Sequence, residues 1–503
     1  MHHSSIPNPL LHIIGPEESP FASNSESSLR NPNLTFDISF LNQSASSKTT
    51  TSRMAPAPYG QGAPVLGLKD YLKTQSEDMI ESIAKINYVP SQEGFEKREA
   101  YLKTILSKHQ SLPTGFPSVV EGPLSWTASE ITEEDWLVCL DAEDVESVEA
   151  AMKSYLGKYE SVNHVSAETF LISDSLKAKM KQTVSNLYDR RGFAVVRGLD
   201  SSRYTPMERV VIFMGLSSYV GGKLGMQTLS RTGLAHLTNL RPLYAEGLIK
   251  SPGYTNVHMV RHSKVIVIAQ QRKIDCADTF PTPKSFHNDT AHIIALFVAG
   301  VAGNGGGSMI ASSAKVYNEL AATKPHVIRT LAEEWKLNSF STHDFESKAY
   351  YKRPLLWYED GKPILFVARR PFTGSNSSDT PKPLTLLQAE ALDSVHFTAE
   401  RHSIRVQLQK GDIQFMNNLA VVHSREEFQD ASIGEGVNRR HLIRAFIKNN
   451  ERAYRLPQHL DGAFDEIYPD DISPSEYNYR IDPFNFAALS QGPPATSPSG
   501  TNG

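Results

Sequence analysis

Residues 286–300 of this chain read FHNDTAHIIALFVAG, and they place candidate metal ligands directly before a strongly apolar run. The run Ile293–Val298 is short and rich in β-branched and aromatic residues, which predicts a buried strand rather than a helix. His287 and Asp289 are separated by one residue, so in an extended segment both side chains point to the same side. The stretch therefore predicts a β protein with two ligand side chains at the end of one strand.

Further strand signals follow Gly192 and are separated by turn residues. They are Phe193–Val196, Val265–Ile268 and Ile364–Val367, with helical segments expected at Ser313–Leu320 and Pro325–Trp335. Apolar residues also alternate over 404–408 and 413–415 around the turn Lys410-Gly411-Asp412, which predicts a β-hairpin. Many short strands with Gly-rich turns predict a mainly β (α+β) fold, an antiparallel sandwich or barrel with helical insertions.

The chain divides into four segments by composition and periodicity. Residues 1–60 are rich in Ser, Asn, Thr and Pro, and we expect this segment and the tail 484–503 to be disordered. Residues 61–190 carry helical signals: Asp141 can cap one helix, and a second helix begins at Asp174 and stops at Gly192. Residues 191–483 hold the strand signals, so a helical N-terminal region is expected to precede one β domain.

Composition limits the classes of partner. The 51 basic and 55 acidic residues give a formal charge of −4, so neither nucleic acid nor an anionic membrane is an expected partner. No apolar run is long enough for a transmembrane helix. The two cysteines, Cys139 and Cys276, exclude a disulfide framework and a multi-cysteine zinc module. We expect a cytoplasmic protein that binds a small molecule, and a homo-oligomer stays open.

His423 is the candidate third ligand of a metal site. It follows Val421-Val422, which predicts a strand, and a partly buried histidine needs a partner or a metal. Two imidazoles and one carboxylate on one face of a metal are the ligand set of non-haem Fe(II) oxygenases. A second His-x-Asp sequence, His459-Leu460-Asp461, has no histidine after it, so only the pair at 287 and 289 can recruit a later one.

An arginine-bearing strand is predicted at Arg440–Ile447. By period two, Arg440 and Arg444 share one face, while Arg439 lies on the other. An arginine on an apolar face needs a carboxylate, and its forked guanidinium suits a bidentate one. A dicarboxylate co-substrate would account for these arginines, and Ser308, after the glycines at 305–307, could donate a hydrogen bond to the same carboxylate.

A series of motifs occurs in order between Leu171 and Asn450. The motifs are Arg191–Leu199, Phe286–Asp289, Gly305–Ser308, Ser312–Leu320, Ala368–Phe372, Lys410–His423 and Arg439–Arg444. With them the chain resembles the taurine dioxygenase (TauD/TfdA-like) family, and within it the fungal-type members. The resemblance implies a double-stranded β-helix, also called a jelly roll and similar to the cupin fold, that binds Fe(II) and 2-oxoglutarate.

The resemblance also implies roles for individual residues. His287, Asp289 and His423 match the family's metal ligands. Arg440 matches the arginine that holds the distal carboxylate of 2-oxoglutarate, and Ser308 matches a hydroxyl residue at the same group. Arg444 matches a position that contacts an acidic substrate in some members.

The sequence departs from the family pattern in three places. Asn288 stands where threonine is usual, and Gly307 stands where an acidic residue is common. Neither side chain is needed at the metal, so both changes should be tolerated. The stretch 429–438 is longer than usual, which leaves both Arg439 and Arg440 open as the 2-oxoglutarate residue.

The implied reaction is oxidation, by default hydroxylation, of a small organic substrate with O2, coupled to conversion of 2-oxoglutarate to succinate and CO2. A carboxylate at Asp289 leaves no metal position for a halide, which disfavours halogenation. Two alternatives stay open: a metal-dependent hydrolase or isomerase on a cupin-like barrel, and a non-catalytic barrel that binds a ligand. The first gives the arginines no role, and the intact ligand candidates argue against the second.

Substrate identity is not decided by the sequence. Arg444 hints at an anionic group, but it could instead support Arg440 or pair with an internal acid. His236, Tyr254 and Phe372 are candidates for lining the substrate space, although packing or surface roles account for them more simply.

Overall fold

The structure is a computed structural model that describes residues 77–107, 110–227, 231–238, 284–338, 350–373, 383–430, 439–457, 459–473, 476–479 and 481. All of these residues belong to one compact unit. The predictions for 1–60, Val265–Ile268, Tyr254 and 484–503 lie outside the described residues. Among the described helices, none combines the length and the apolar character needed to cross a bilayer.

The helices have the following bounds: α1 Glu77–Ala84, α2 Gln92–Ile105, α3 Ala142–Leu156, α4 Asp174–Ser185, α5 Pro206–Val220, α6 Ser313–Thr323, α7 Pro325–Ala332, α8 Arg370–Thr373, α9 Leu386–His402 and α10 Asp461–Ile467. The first strands are β1 Leu137–Cys139, β2 Phe193–Arg197, β3 Lys223–Gly225, β4 Leu234–Thr238, β5 Lys284–His287, β6 Ile293–Gly300, β7 Asn304–Gly305 and β8 Ser308–Ser312. The later strands are β9 Trp335–Asn338, β10 Tyr350–Arg353, β11 Leu356–Glu359, β12 Lys362–Leu365, β13 Ile404–Val406, β14 Ile413–Asn417, β15 Val421–Arg425, β16 Phe428–Gln429 and β17 His441–Lys448.

Two sheets form the centre of the protein. The major sheet has the strand order β1-β2-β14-β6-β17-β3, with β4 also paired to β17, and the minor sheet has the order β13-β8-β15-β5. Pairing in both sheets is antiparallel except between β1 and β2. Leu296 of the major sheet and Ile310 of the minor sheet belong to the same apolar core. This arrangement confirms the predicted double-stranded β-helix with helical insertions.

Strand β6 is buried on both faces, which explains its continuous apolar sequence. Ile294 and Leu296 belong to the core between the sheets, whereas Ala295 and Phe297 pack with α3, α4 and α5 on the outer face of the major sheet. Helices α6, α7 and α9 pack in the same way on the outer face of the minor sheet. Helices therefore cover both outer faces of the sandwich.

The helix starts predicted in the N-terminal region are confirmed. The Asp141 side chain accepts a hydrogen bond from the backbone N–H of Asp144 at 3.0 Å and caps α3. Helix α4 begins at Asp174 and continues into a π-helical turn, Asn186–Arg190, before Gly192 with its φ of 82°. The helix predicted at 325–335 is shorter than expected, because α7 ends at residue 332 and residue 335 already begins β9.

The β-hairpin predicted at 404–415 is wrong. Strand β13 pairs with β8 in the minor sheet, whereas β14 pairs with β2 and β6 in the major sheet. The turn at 410–412 therefore carries the chain from one sheet to the other. Gly411 is needed there because its φ is 92° and a Cβ would lie 1.9 Å from the carbonyl oxygen of Leu199. Alternation predicted the strands but could not specify which sheet each one joins.

A buried charge cluster joins the first helices to α9. Asp393 of α9 is fully buried and contacts the guanidiniums of Arg98, on α2, and Arg369, which follows β12. Arg98 also donates to the carbonyl of Ile83 at 2.8 Å, and Arg369 donates to the carbonyl of Asn87 at 3.1 Å. One carboxylate and several carbonyls thus satisfy two buried cations.

Asp393→Ala should lower the free energy of unfolding by about 3–5 kcal/mol, because it leaves two buried guanidiniums without their carboxylate. Glu334→Ala is the control. Its carboxylate lies 2.8 Å from the ammonium of Lys352, but the two side chains are 58% and 55% exposed. The control should therefore lose less than about 1 kcal/mol. Urea unfolding followed by circular dichroism measures both, and equal losses would contradict a structural role for the buried cluster.

Candidate active site

His287, Asp289 and His423 come together in a cavity lined by both sheets. Their ligand atoms all lie within 4.8 Å of one another. His423 of β15 is the register partner of His287 of β5, and their ring centroids are 4.4 Å apart. Asp289 lies just beyond β5, with Oδ1 at 3.8 Å from His287 Nε2. Two imidazoles and one carboxylate at these distances fit a divalent transition metal such as Fe(II).

Hydrogen bonds orient the ligand candidates. His287 Nδ1 donates to the carbonyl of Ser285 at 2.9 Å, and this tautomer puts the Nε2 lone pair on the side of Asp289. Asn418 is fully buried; its Nδ2 donates to the carbonyl of Asp289 at 2.5 Å, and its Oδ1 accepts from the Asp289 backbone N–H at 3.1 Å. The main chain at Asp289 is therefore held by a single amide group.

Asn288 is buried away from the ligand atoms. Its side-chain nitrogen donates to the carbonyls of Asn418 at 2.6 Å and Val421 at 3.1 Å. Its side-chain oxygen accepts from the backbone N–H of Val367 at 3.0 Å. A threonine has only one hydroxyl hydrogen to donate, so the asparagine at this position ties the ligand-bearing segment to two neighbouring segments.

The three ligand candidates line one cavity together with apolar and polar side chains. Its apolar walls come mainly from Leu237, Ile294, Leu296, Leu408, Met416, Phe428 and Leu442. Its other polar lining residues are Thr238, Ser308, Gln414, Ser424, Arg425, Arg440 and Arg444. Arg439 is absent from the lining. Among the residues that the structure describes, three arginines thus face the cavity, and Asp289 supplies the one carboxylate of its lining.

Arg440 lies close to a second arginine. Burial, together with the positive charge of Arg425, lowers the pKa of Arg440 to about 9. Both guanidiniums lie over the ring of Phe428, at 5.3 Å for Arg440 and 4.7 Å for Arg425. Among the described residues, no carboxylate forms an ion pair with the Arg440 guanidinium. The Asp430 carboxylate accepts a hydrogen bond from the Arg440 backbone N–H at 2.7 Å, and its charge opposes the effects of burial and of Arg425 on the Arg440 pKa without cancelling them. Two neighbouring cations in a partly apolar site favour an anionic ligand.

Ser308 and Gln414 add neutral polar groups to the same cavity. Ser308 Oγ donates to Gln414 Oε1 at 3.0 Å. Gln414 is fully buried on β14, and its Nε2 has no acceptor among the described residues. The chain turns tightly before Ser308, where Gly305 and Gly306 have φ values of 70° and 77°. An amide N–H group is therefore available to a ligand in this cavity.

Gly307 lies beside a carboxylate from another strand region. Glu426 Oε2 accepts a hydrogen bond from the Gly307 backbone N–H at 3.2 Å, and a Cβ on residue 307 would lie 2.6 Å from that oxygen. The other oxygen of Glu426 accepts from Arg405 at 2.6 Å. The space beside residue 307 is thus occupied by an acidic group that Glu426 supplies.

Arg444 pairs with the ligand candidate Asp289. Its Nη1 donates to Asp289 Oδ2 at 2.8 Å, and its Nε donates to Gln227 Oε1 at 2.8 Å. The sequence left an anionic substrate, Arg440 and an internal acid open as its partners, and in this structure the internal acid is the partner. Asp289 therefore presents Oδ1 toward His287 and Oδ2 toward Arg444.

The remaining sequence candidates lie elsewhere. His236 is buried, with Nδ1 at 2.8 Å from His441 Nε2, and Phe372 packs against Trp335 at 5.3 Å between ring centroids. Neither belongs to the cavity lining. The second His-x-Asp sequence begins with the exposed His459, so it does not contribute to this cavity.

Sequence reasoning missed Arg425, Gln414, Asn418 and Gln227. Arg425 had a usable signal, because it lies two residues after His423 on the same strand and shares its face. Gln227 had none, since no motif includes the segment between β3 and β4.

Comparisons with known proteins agree with this geometry. A model of the taurine catabolism dioxygenase TauD, TfdA family matches residues 158–446. The chain is 33% identical over 367 residues to the taurine hydroxylase-like protein SAT17 of Stachybotrys chartarum, across 72% of this chain and 88% of that protein. It is 24% identical over 281 residues to FR-33289 synthase of Streptomyces rubellomurinus, across 56% of this chain and 75% of that protein.

Solved structures of iron oxygenases also align with the chain. Asparagine oxygenase in complex with Fe(II), 2S,3S-3-hydroxyasparagine and succinate aligns with a TM-score of 0.44 and 16% identity, over 62% of this chain and 93% of that one. The non-haem iron oxygenase OrfP in complex with Fe and alpha-ketoglutaric acid aligns with a TM-score of 0.43 and 15% identity, over 62% and 94%.

His287→Ala and His423→Ala should each weaken Co(II) binding by more than about 100-fold, because each removes one of three ligands, a larger change than loss of an outer-shell partner. Titration of metal-free protein with Co(II), followed by visible absorption, measures this. His459→Ala, from the second His-x-Asp sequence, is the matched control and should bind Co(II) like the wild type. Wild-type affinity in either ligand variant would remove that histidine from the site.

Proposed function

This chain belongs to the taurine dioxygenase (TauD/TfdA) family, and we propose that it hydroxylates a small anionic substrate at a metal held by His287, Asp289 and His423. As a member of this family, it is an Fe(II)- and 2-oxoglutarate-dependent dioxygenase. Substrate, O2 and 2-oxoglutarate give hydroxylated substrate, succinate and CO2. The site assignment rests on one observation: two imidazoles and one carboxylate lie close together in a cavity that arginines also line.

Different parts of the fold hold the three ligand residues in place. His287 and His423 come from adjacent strands of the minor sheet, and Asp289 is held through its backbone by Asn418. Bound Fe(II), with 2-oxoglutarate and O2, supplies the oxidising equivalents that hydroxylate a C–H bond. His287, Asp289 and His423 would hold the metal and, as only three protein ligands, would leave it accessible to its co-substrates. The apolar side chains of the cavity lining would limit the water around the reacting atoms.

Arg440 and Ser308 are the proposed anchors for the distal carboxylate of 2-oxoglutarate. The low pKa of Arg440 reflects burial beside Arg425, and a carboxylate would neutralise this repulsion. Gln414 supports the assignment because its buried Nε2 is a donor without an acceptor among the described residues. These groups favour a dioxygenase over a hydrolase or isomerase, which gives them no role. The three ligand residues argue against a non-catalytic barrel.

An anionic substrate is proposed from the charge of the cavity. Among the described residues, its lining carries three arginines and one carboxylate. Fe(II) and the 2-oxoglutarate dianion together would add no net charge, so arginines would still outnumber carboxylates in this lining. Arg444 is the proposed contact, because its guanidinium has N–H groups beyond those that Asp289 and Gln227 accept.

A cytoplasmic location also stays a proposal. It is supported by the small number of cysteines, which are two in the whole sequence. Cys139 is an exposed free thiol, which suits a reducing compartment. Fractionation of the source cells with an antibody against this chain would test the location.

Anaerobic titration of the protein with Fe(II) and then 2-oxoglutarate should produce the visible charge-transfer band of the bound pair. Arg440→Ala should weaken 2-oxoglutarate binding by about 30-fold or more, because it removes a buried cation that would pair with the distal carboxylate. The titration midpoint of the band measures this affinity.

Arg439→Ala is the matched control for that experiment, since Arg439 is the neighbouring arginine outside the cavity lining. It should leave the midpoint unchanged. A folded wild type without the band would overturn the dioxygenase site, and equal effects of the two substitutions would overturn the role of Arg440.

Substrate charge can be tested with matched small molecules. Taurine and its sulfonamide both carry an ammonium group, but only taurine carries an anionic sulfonate, and taurine relates to the name of the relative SAT17. Other sulfonates, phosphonates and amino acids can each be paired with an analogue in which the acid group is replaced by an uncharged amide. We expect only the members with an anionic acid group to raise 2-oxoglutarate-dependent O2 consumption above its substrate-free rate. Stimulation by an amide analogue to the same extent as by its acid counterpart would contradict the proposal.

A further inference from the structure

We infer that Gln227 is a positioning residue of this site: it holds Arg444 so that Arg444 in turn holds Asp289 in the orientation that binds the metal. The inference rests on the proposed metal site. It concerns a residue that belongs to no motif of the sequence and does not line the cavity.

The Gln227 side chain binds both the side chain and the main chain of Arg444. Its Oε1 accepts from Arg444 Nε at 2.8 Å, and its Nε2 donates to the Arg444 carbonyl at 2.7 Å. Nε2 also donates to the carbonyl of Gly233 at 3.1 Å, and the Gln227 backbone N–H donates to the carbonyl of Thr232 at 2.8 Å. Gln227 is 6% exposed, so water competes little for these bonds.

Arg444 is held at both ends of its guanidinium. Nε faces Gln227, whereas Nη1 donates to Asp289 Oδ2 at 2.8 Å, and the group lies 4.6 Å from the ring centroid of Phe446. An arginine side chain has many rotamers, and the flat guanidinium is directional only when its plane is fixed. The contact with Gln227 fixes that plane from the side opposite Asp289.

As a consequence, the two carboxylate oxygens of Asp289 have different neighbours. Arg444 contacts Oδ2, whereas Oδ1 lies 3.8 Å from His287 Nε2, on the side of the proposed metal position. If Arg444 turns away, the carboxylate can rotate or bind a metal through both oxygens. Either change would disturb the preorganised set of ligand atoms that His287, Asp289 and His423 present to the metal.

Co(II) titration of the metal-free protein, without 2-oxoglutarate or substrate, tests this role apart from turnover. Gln227→Met keeps the size of the side chain and the charge of Arg444, but it removes the bonds to that residue. We expect Co(II) binding to weaken by about 10-fold or more, as for loss of an outer-shell partner, with a change in the visible spectrum of bound Co(II).

A double-mutant cycle separates positioning from general destabilisation. In an Arg444→Met background, Gln227→Met should change Co(II) affinity by less than about twofold, because its effect passes through Arg444. The inference would be wrong if Gln227→Met weakened Co(II) binding equally in the wild-type and the Arg444→Met backgrounds. The Arg444→Lys variant provides a second test, which can be carried out even if the Gln227→Met variant does not fold. It keeps the charge but cannot contact Gln227 and Asp289 through one rigid fork, so it should weaken Co(II) binding to a similar extent.

Asn318→Leu is the matched control for loss of a part-buried amide. Asn318 Oδ1 accepts from the Val120 backbone N–H at 2.7 Å, and its Nδ2 donates to the Val120 carbonyl at 2.8 Å. The Asn318→Leu variant should have a lower Tm than the wild type, while its Co(II) affinity stays at the wild-type value. A wild type that does not bind Co(II) would overturn the proposed metal site itself. A wild type and a Gln227→Met variant that bind Co(II) equally well would overturn only the role of Gln227.

Discussion

The register between β5 and β15 is the constraint on which the site depends. His287 faces His423 across this pair, and a shift of one residue would turn one imidazole to the outer face of the sheet. The neighbouring side chains determine the register: Phe286 and Val422 are buried in the core between the minor sheet and its helices. Burial of these two apolar residues on one face leaves the two histidines on the other. The metal site is thus positioned by the same hydrophobic burial that stabilises the sandwich.

Two pairs of arginines in this protein illustrate how a structural charge cluster differs from a binding site. Arg98 and Arg369 share the buried carboxylate of Asp393 and also donate to backbone carbonyls, so their charges are satisfied within the fold. The Arg440 guanidinium forms no ion pair with a carboxylate among the described residues, although the charge of Asp430 acts on it, and it lies next to Arg425 in a cavity. Such a site favours an anionic ligand.

The ligand candidates depend on a shell of amide groups. Asn288 and Asn418 tie the segment after β5 to the residues between β14 and β15, and Gln227 ties Arg444 to the segment between β3 and β4. Amides suit this purpose because each one donates and accepts at once without adding charge near a metal. The geometry at Asp289 is therefore supported from both sheets.

Local periodicity explains what the sequence determined by itself. The spacing of His287 and Asp289, the face shared by Arg440 and Arg444, the cap at Asp141 and the apolar strand β6 all follow from backbone geometry over a few residues. The motifs, in their order, also predicted the jelly roll, which the two sheets confirm.

The tertiary structure alone decided how distant segments meet. The alternation at 404–415 predicted two strands correctly but joined them as a hairpin, although they belong to different sheets. The pairing of Arg444 with Asp289, the donor at Gln414 and the contact from Gln227 depend on residues more than a hundred positions apart or on burial between two sheets. Strand periodicity specifies which side of its own strand a residue occupies, but the partner across the cavity is set by sheet order and register. Those depend on the packing of the whole core.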